Sequence, residues 1–117
     1  MSQTYRKGAV GAMMDEYERA AAEFRSIIAG LTDDQYMRIV DAETANDNCR
    51  SVQTIMSHVV GAGYGYANYI RDAFSIEKSS PERRILEHAE SLEEFDRMLE
   101  YTVATLDNKW EMPDDQI

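Results

Sequence analysis

A chain of 117 residues with a formal net charge of −10 is long enough for one compact domain and too short for two. Twelve basic against 22 acidic residues, with Arg6-Lys7 and Arg83-Arg84 as the only basic pairs, exclude the clustered Lys and Arg that nucleic-acid phosphates require. One cysteine, Cys49, excludes an intramolecular disulfide, and no run approaches the roughly 18 apolar residues of a membrane span. These features predict a soluble, cytoplasmic protein with no nucleic-acid or membrane partner.

Residues 1 to 7 are polar and read as a loose end. From Gly8 an apolar stripe begins. Val10, Tyr17, Phe24 and Leu31 recur every seven residues, with Met13/Met14, Ala20/Ala21 and Ile27/Ile28 between them. A first long helix is predicted over about 9 to 29, ended by Gly30. Thr32-Asp33-Asp34-Gln35 is a capping box, with Leu31 and Tyr36 placed for the hydrophobic staple, and predicts a short helix from Asp33 to Val40. The polar run Asp41 to Arg50 reads as a loop.

A second long helix follows, with Ser51 as its N-cap and Asn48 as the alternative. Val52, Val59, Tyr66 and Ala73 recur every seven residues, filled in by Ile55/Met56, Ala62/Gly63 and Tyr69/Ile70. Gly61, Gly63 and Gly65 cost this helix about 1 kcal/mol each relative to Ala. The segment 75 to 91 is a long charged link in which Ser80-Pro81 is suited to open a short helix. At about 3.3 Å per extended residue it can run back along the whole preceding helix, so the helices it joins need not be antiparallel. A second capping box, Ser91-Leu92-Glu93-Glu94, opens a third long helix that runs to about Trp110 and is ended by Pro113-Asp114-Asp115. Three long amphipathic helices without strand-like alternation predict an all-α bundle. Three broad stripes leave one side open, to be covered by a further helix or a second subunit.

His58 lies at the edge of its helix's stripe, beside Ile55, Ala62 and Tyr69 on a helical wheel. A histidine in that position is most simply structural, but neutral imidazole is also the commonest metal ligand. Thr54 and Ala62 hold the places of a second histidine one turn away, and Ile55 holds that of a Glu-x-x-His glutamate. Cys49 is roughly 13 Å distant along a helix, too far for a Cys–His pair. His88, in the link, reads as solvated, with Arg84 and Leu92 one turn on either side. The glycines read first as close helix packing and second as room for a ligand beside His58. Of the nearby tyrosines, Tyr66 and Tyr69 fall on or near the core stripe and Tyr64 falls off it. The run Gly61 to Gly65 has neither the spacing nor the preceding strand of a dinucleotide loop.

The first helix, the L-T-D-D-Q-Y stretch, the polar loop and then C-R-S-V-Q-T-I-M-S-H-V-V-G-A-G-Y-G-Y-A-N-Y-I resemble the DinB/YfiT-like superfamily over roughly residues 9 to 110. Ser51 to His58 matches the short motif that opens that family's second helix, where the histidine is the first of three metal ligands. The resemblance implies an up-down-down-up four-helix bundle holding a divalent metal, nickel or zinc, and in some members thiol-dependent transferase chemistry with a low-molecular-weight thiol. The family's other two ligands, a His-x-x-x-His pair on a fourth helix, have no counterpart here. The expectation is therefore a single DinB-like domain over 1–117, C-terminally incomplete, with its fourth helix absent or supplied by another copy.

Two functions follow as expectations. One is a DinB-like metal-dependent enzyme, of S-transferase or hydrolase type, with His58 as one metal ligand. The other is a non-enzymatic helical module that forms a homodimer or binds a partner through its open apolar face. A small-ligand binder using the glycine-lined helix face is a third.

Overall fold

The computed structural model describes residues 5–40, 43–45, 49–82 and 84–113. Among these residues the chain is all-α, with four helices: α1 (Gly8–Ala29), α2 (Asp33–Met37), α3 (Val52–Ala73) and α4 (His88–Leu106).

α1 starts at Gly8, whose φ of +83° suits glycine and whose missing Cβ makes room for the Trp110 backbone. α2 is capped as expected. Thr32 Oγ1 accepts from the Gln35 backbone N–H, and Gln35 Oε1 accepts from the Thr32 N–H. It stops at Met37, short of the expected Val40, because Arg38 turns to an extended conformation. The Val40 N–H then donates to the Arg50 carbonyl, 2.8 Å away. At the start of α3, Ser51 caps as predicted, with Thr54 completing the reciprocal pair. Asn48, the other candidate cap, lies outside the described residues, as do Asp114 and Asp115.

α4 departs from expectation at both ends. It begins at His88, with Glu87 at the cap position and the Glu87 N–H donating to Glu90 Oε1 at 3.0 Å. Ser91, the predicted cap, instead lies inside the helix, fully buried, its hydroxyl donating to the His88 carbonyl. Two box-like stretches, 87–90 and 91–94, stand back to back here, and the earlier one prevails because Leu86, just before it, is buried in the core. The C-terminal end comes at Leu106 rather than Trp110. Asp107 leaves the helical region and Asn108 takes a positive φ of 67°.

No helix forms at Pro81 among the described residues. The link instead lies along α3, pinned by α3 side chains that donate to its carbonyls. Asn68 Nδ2 reaches Ser79 O at 3.1 Å, Ser57 Oγ reaches Arg84 O at 2.8 Å and Gln53 Nε2 reaches Leu86 O at 3.1 Å. The link thus runs against the direction of α3 and returns the chain to its beginning. α3 and α4 are therefore parallel neighbours. Their late residues also meet, Arg71 Nε donating to Thr105 Oγ1 and the Arg71 guanidinium lying 3.8 Å from the centre of the Tyr101 ring.

α1 runs the other way along α4. At its start the Gly11 N–H donates to the Trp110 carbonyl. Midway, Phe24 meets Phe95 at 5.5 Å and Arg25 grips Asp96 through two bonds of 2.7 and 3.0 Å. Near its end the Ile28 carbonyl accepts from His88. The core gathers Ala21 and Ile28 of α1, Tyr36 of α2, Met56, Val60 and Tyr64 of α3, Leu86, and Phe95 and Met98 of α4. The order of the long helices is up, down, down, with α4 between α1 and α3, and α1 and α3 hardly touch each other.

Candidate functional site

The stripes read from the sequence are wider than the surface they bury. On α1, Val10, Met14, Ala21 and Ile28 are buried, while Met13, Tyr17 and Ile27, next to them on the wheel, are exposed. On α3, Met56, Val60, Tyr64 and Ala67 form the buried face. Tyr66 and Tyr69, expected near the core, are 76% and 81% exposed, and Tyr64, expected outside it, is a core residue whose ring meets that of Tyr101 at 5.0 Å, tilted by 46°. The reason is geometric. α4 covers one half of each stripe, and a neighbour for the other half is lacking among the described residues.

The uncovered halves of α1 and α3 face a common groove floored by α4. Two apolar cavities lie in it, of about 270 and 180 Å³. Val10 and Met13 from α1, Tyr69, Ile70 and Ala73 from α3, and Leu106 from α4 line the larger. The smaller continues it toward Tyr17 and Thr102. Burial pushes the Tyr17 hydroxyl pKa up, as expected of a phenol held against an apolar wall.

His58 is exposed on α3, on the same side of the helix as Ile55, Ala62 and Tyr69, and lines neither cavity. It has no hydrogen-bond or ion-pair partner among the described residues. Nor does any group of three His, Cys, Asp or Glu side chains among them come together in a way that could hold a metal ion. The described residues alone therefore show no complete metal site. Cys49 is free and exposed.

The three glycines divide. An added Cβ at Gly63 would overlap the Met98 side chain, so this position is close packing as expected. At Gly61 and Gly65 it would meet nothing within 4 Å. Gly61 instead borders a cavity of about 300 Å³ between α3, the link and α4, with Ser57, Glu82, Arg84, Glu94 and Arg97. Its arginines are engaged: Arg97 Nη1 lies 2.7 Å from Glu94 Oε1, and Arg84 Nη1 lies 2.9 Å from Glu90 Oε2.

His88 differs most from its expected state. Its side chain is 13% exposed and hydrogen-bonded at both ring nitrogens. Its partners lie 55 and 60 residues away in the chain, so no local pattern signals them.

Among the described residues no helix is long and apolar enough to cross a membrane. No protein-family model matches the chain, and no curated protein or solved structure matches it either.

Proposed function

We propose that this protein is a helical docking module that pairs with a second copy of itself through the groove between α1 and α3. The observation that carries this reading is the make-up of that surface. It offers apolar cavities walled by Val10, Met13, Ile70 and Leu106, and on its lip the side chains of Tyr66 and Tyr69 project into water. A two-fold interface uses the same patch on both partners, so the patch must supply both hollow and projection. Tyrosine is among the residues favoured at such contacts, because it brings a large apolar body and one polar tip. Leaving Met13, Tyr17, Ile27, Ile55, Tyr66 and Tyr69 in water is otherwise an unusual concentration of apolar surface for a monomer.

Light scattering tests the reading directly. At micromolar concentration the mass should be twice the 13.4 kDa of one chain. Tyr69→Glu and Met13→Glu should each return it to one chain with helical content intact. A monomer throughout, or a dimer indifferent to both changes, overturns the proposal.

A second reading is a DinB-like metal-dependent enzyme, using nickel or zinc and a low-molecular-weight thiol substrate. The exposure of His58 on α3, with no hydrogen-bond or ion-pair partner among the described residues, favours it. The remaining ligands would have to come from a covering helix. Metal analysis of the purified protein beside His58→Ala decides it, since equal metal in both removes His58 as a ligand. Under either reading we place the protein in the cytoplasm, in keeping with its single free thiol.

A further inference from the structure

His88 is the first residue of α4. Its ring stacks on Tyr36, with centroids 4.7 Å apart and planes 20° from parallel. Nε2 is 2.7 Å from the carbonyl oxygen of Ile28, in the last turn of α1. Nδ1 is 2.8 Å from Oδ1 of Asp33, the first residue of α2. A carbonyl oxygen only accepts hydrogen bonds, so Nε2 carries a hydrogen. The Asp33 carboxylate, 80% exposed to water, also only accepts, so Nδ1 carries one too. A ring placed between two acceptors satisfies both when it is the doubly protonated imidazolium.

We infer that His88 is a protonation-gated clasp, closed as the imidazolium, that fastens α4 to the corner between α1 and α2. When Nδ1 gives its proton to water, its lone pair is left facing the Asp33 carboxylate. One of the clasp's two hydrogen bonds then becomes a repulsion, while the bond to Ile28 remains. Tyr36 is held under the same clasp, fully buried, with its hydroxyl donating to the Leu86 carbonyl at 2.9 Å. Opening therefore loosens α2 first and exposes the core at Tyr36.

Most of the surrounding groups act in the same direction. From α1 come the C-terminal carbonyls, with no basic residue in the last turn, and the negative end of that helix favours a cation. Arg25, further back on α1, is engaged by Asp96. From α2 come Asp33 and Asp34, both in its first turn. From the start of α4 come Glu87 and Glu90, the latter paired with Arg84. The N-terminal position of His88 in α4 opposes the cation. The bond to the Ile28 carbonyl and then that to Asp33 outweigh burial and hold the ring's pKa above the ordinary histidine value. The stability contributed by the clasp is therefore complete below about pH 6.5 and is lost as pH rises through the raised folded value.

Proton NMR of the histidine rings from about pH 5 to about pH 9, with urea unfolding at each pH, tests the clasp. The His88 ring should titrate above about 6.5, and the urea midpoint should fall as pH rises through that titration. Asp33→Asn leaves the core intact because the side chain is exposed. It should lower the His88 titration and flatten the fall in midpoint. A ring that titrates at or below about 6.5, or a titration and midpoint profile unchanged by Asp33→Asn, overturns the inference.

Discussion

On the side of α3 turned to α4, Met56, Val60, Tyr64 and Ala67 are buried, whereas roughly 140° round the same helix Ile55, Tyr66 and Tyr69 stand in water. Both faces are apolar. They differ in whether a neighbour covers them, and this determines what each residue contributes. The buried face holds the fold together. The exposed face contributes less to the stability of the single chain.

Substitutions on the two faces should therefore diverge. Met56 is fully buried, so Met56→Ala should cost about 2–5 kcal/mol in urea unfolding, through lost burial and the cavity left behind. Next in size is Gly63, packed against Met98. Here Gly63→Ala should destabilise by about 1–3 kcal/mol as the core is overfilled. Two residues on, Gly65→Ala should raise stability by about 0.5–1 kcal/mol, because the added methyl meets open space and alanine is the better helix former. If both glycines respond alike, the division between the faces is wrong. The smallest effect belongs to Tyr66→Thr. It should stay within about 0.5 kcal/mol for the dissociated chain while weakening self-association by light scattering. A loss at Tyr66 as large as that at Met56 would show that the tyrosine is covered within one chain.

Much of this fold was legible in the sequence. The caps at Thr32 and Ser51 are local chemistry, complete within four residues, and both form as read. The parallel course of α3 and α4 was open to inference because a link of that length can return along a helix. The start of α4 was misplaced because two box-like stretches, 87–90 and 91–94, follow one another, and the choice between them is decided by the burial of Leu86, a tertiary fact. The stripes were read at the right period, but periodicity does not say which half of a wide stripe receives a neighbour. Tyr64 and Tyr66 exchanged roles for that reason. The histidines show the same limit at a site. His58 was placed at a stripe edge, and it lies exposed on the side of α3 turned away from the buried face. His88 looked solvated because its partners, Ile28 and Asp33, arrive from the far end of α1 and from α2.

The parallel course of α3 and α4 has a consequence for the shape of any pair. Each helix carries roughly half a positive charge at its N-terminus and half a negative charge at its C-terminus. Antiparallel α1 cancels one of the two aligned moments and leaves the other uncompensated along the helix direction. If two copies meet face to face about an axis running along the helices, these moments reinforce. About an axis running across the helices they oppose and cancel. Electrostatics thus favours the crosswise two-fold, in which the end of the groove bearing Tyr69 on one copy lies against the end bearing Ile55 on the other.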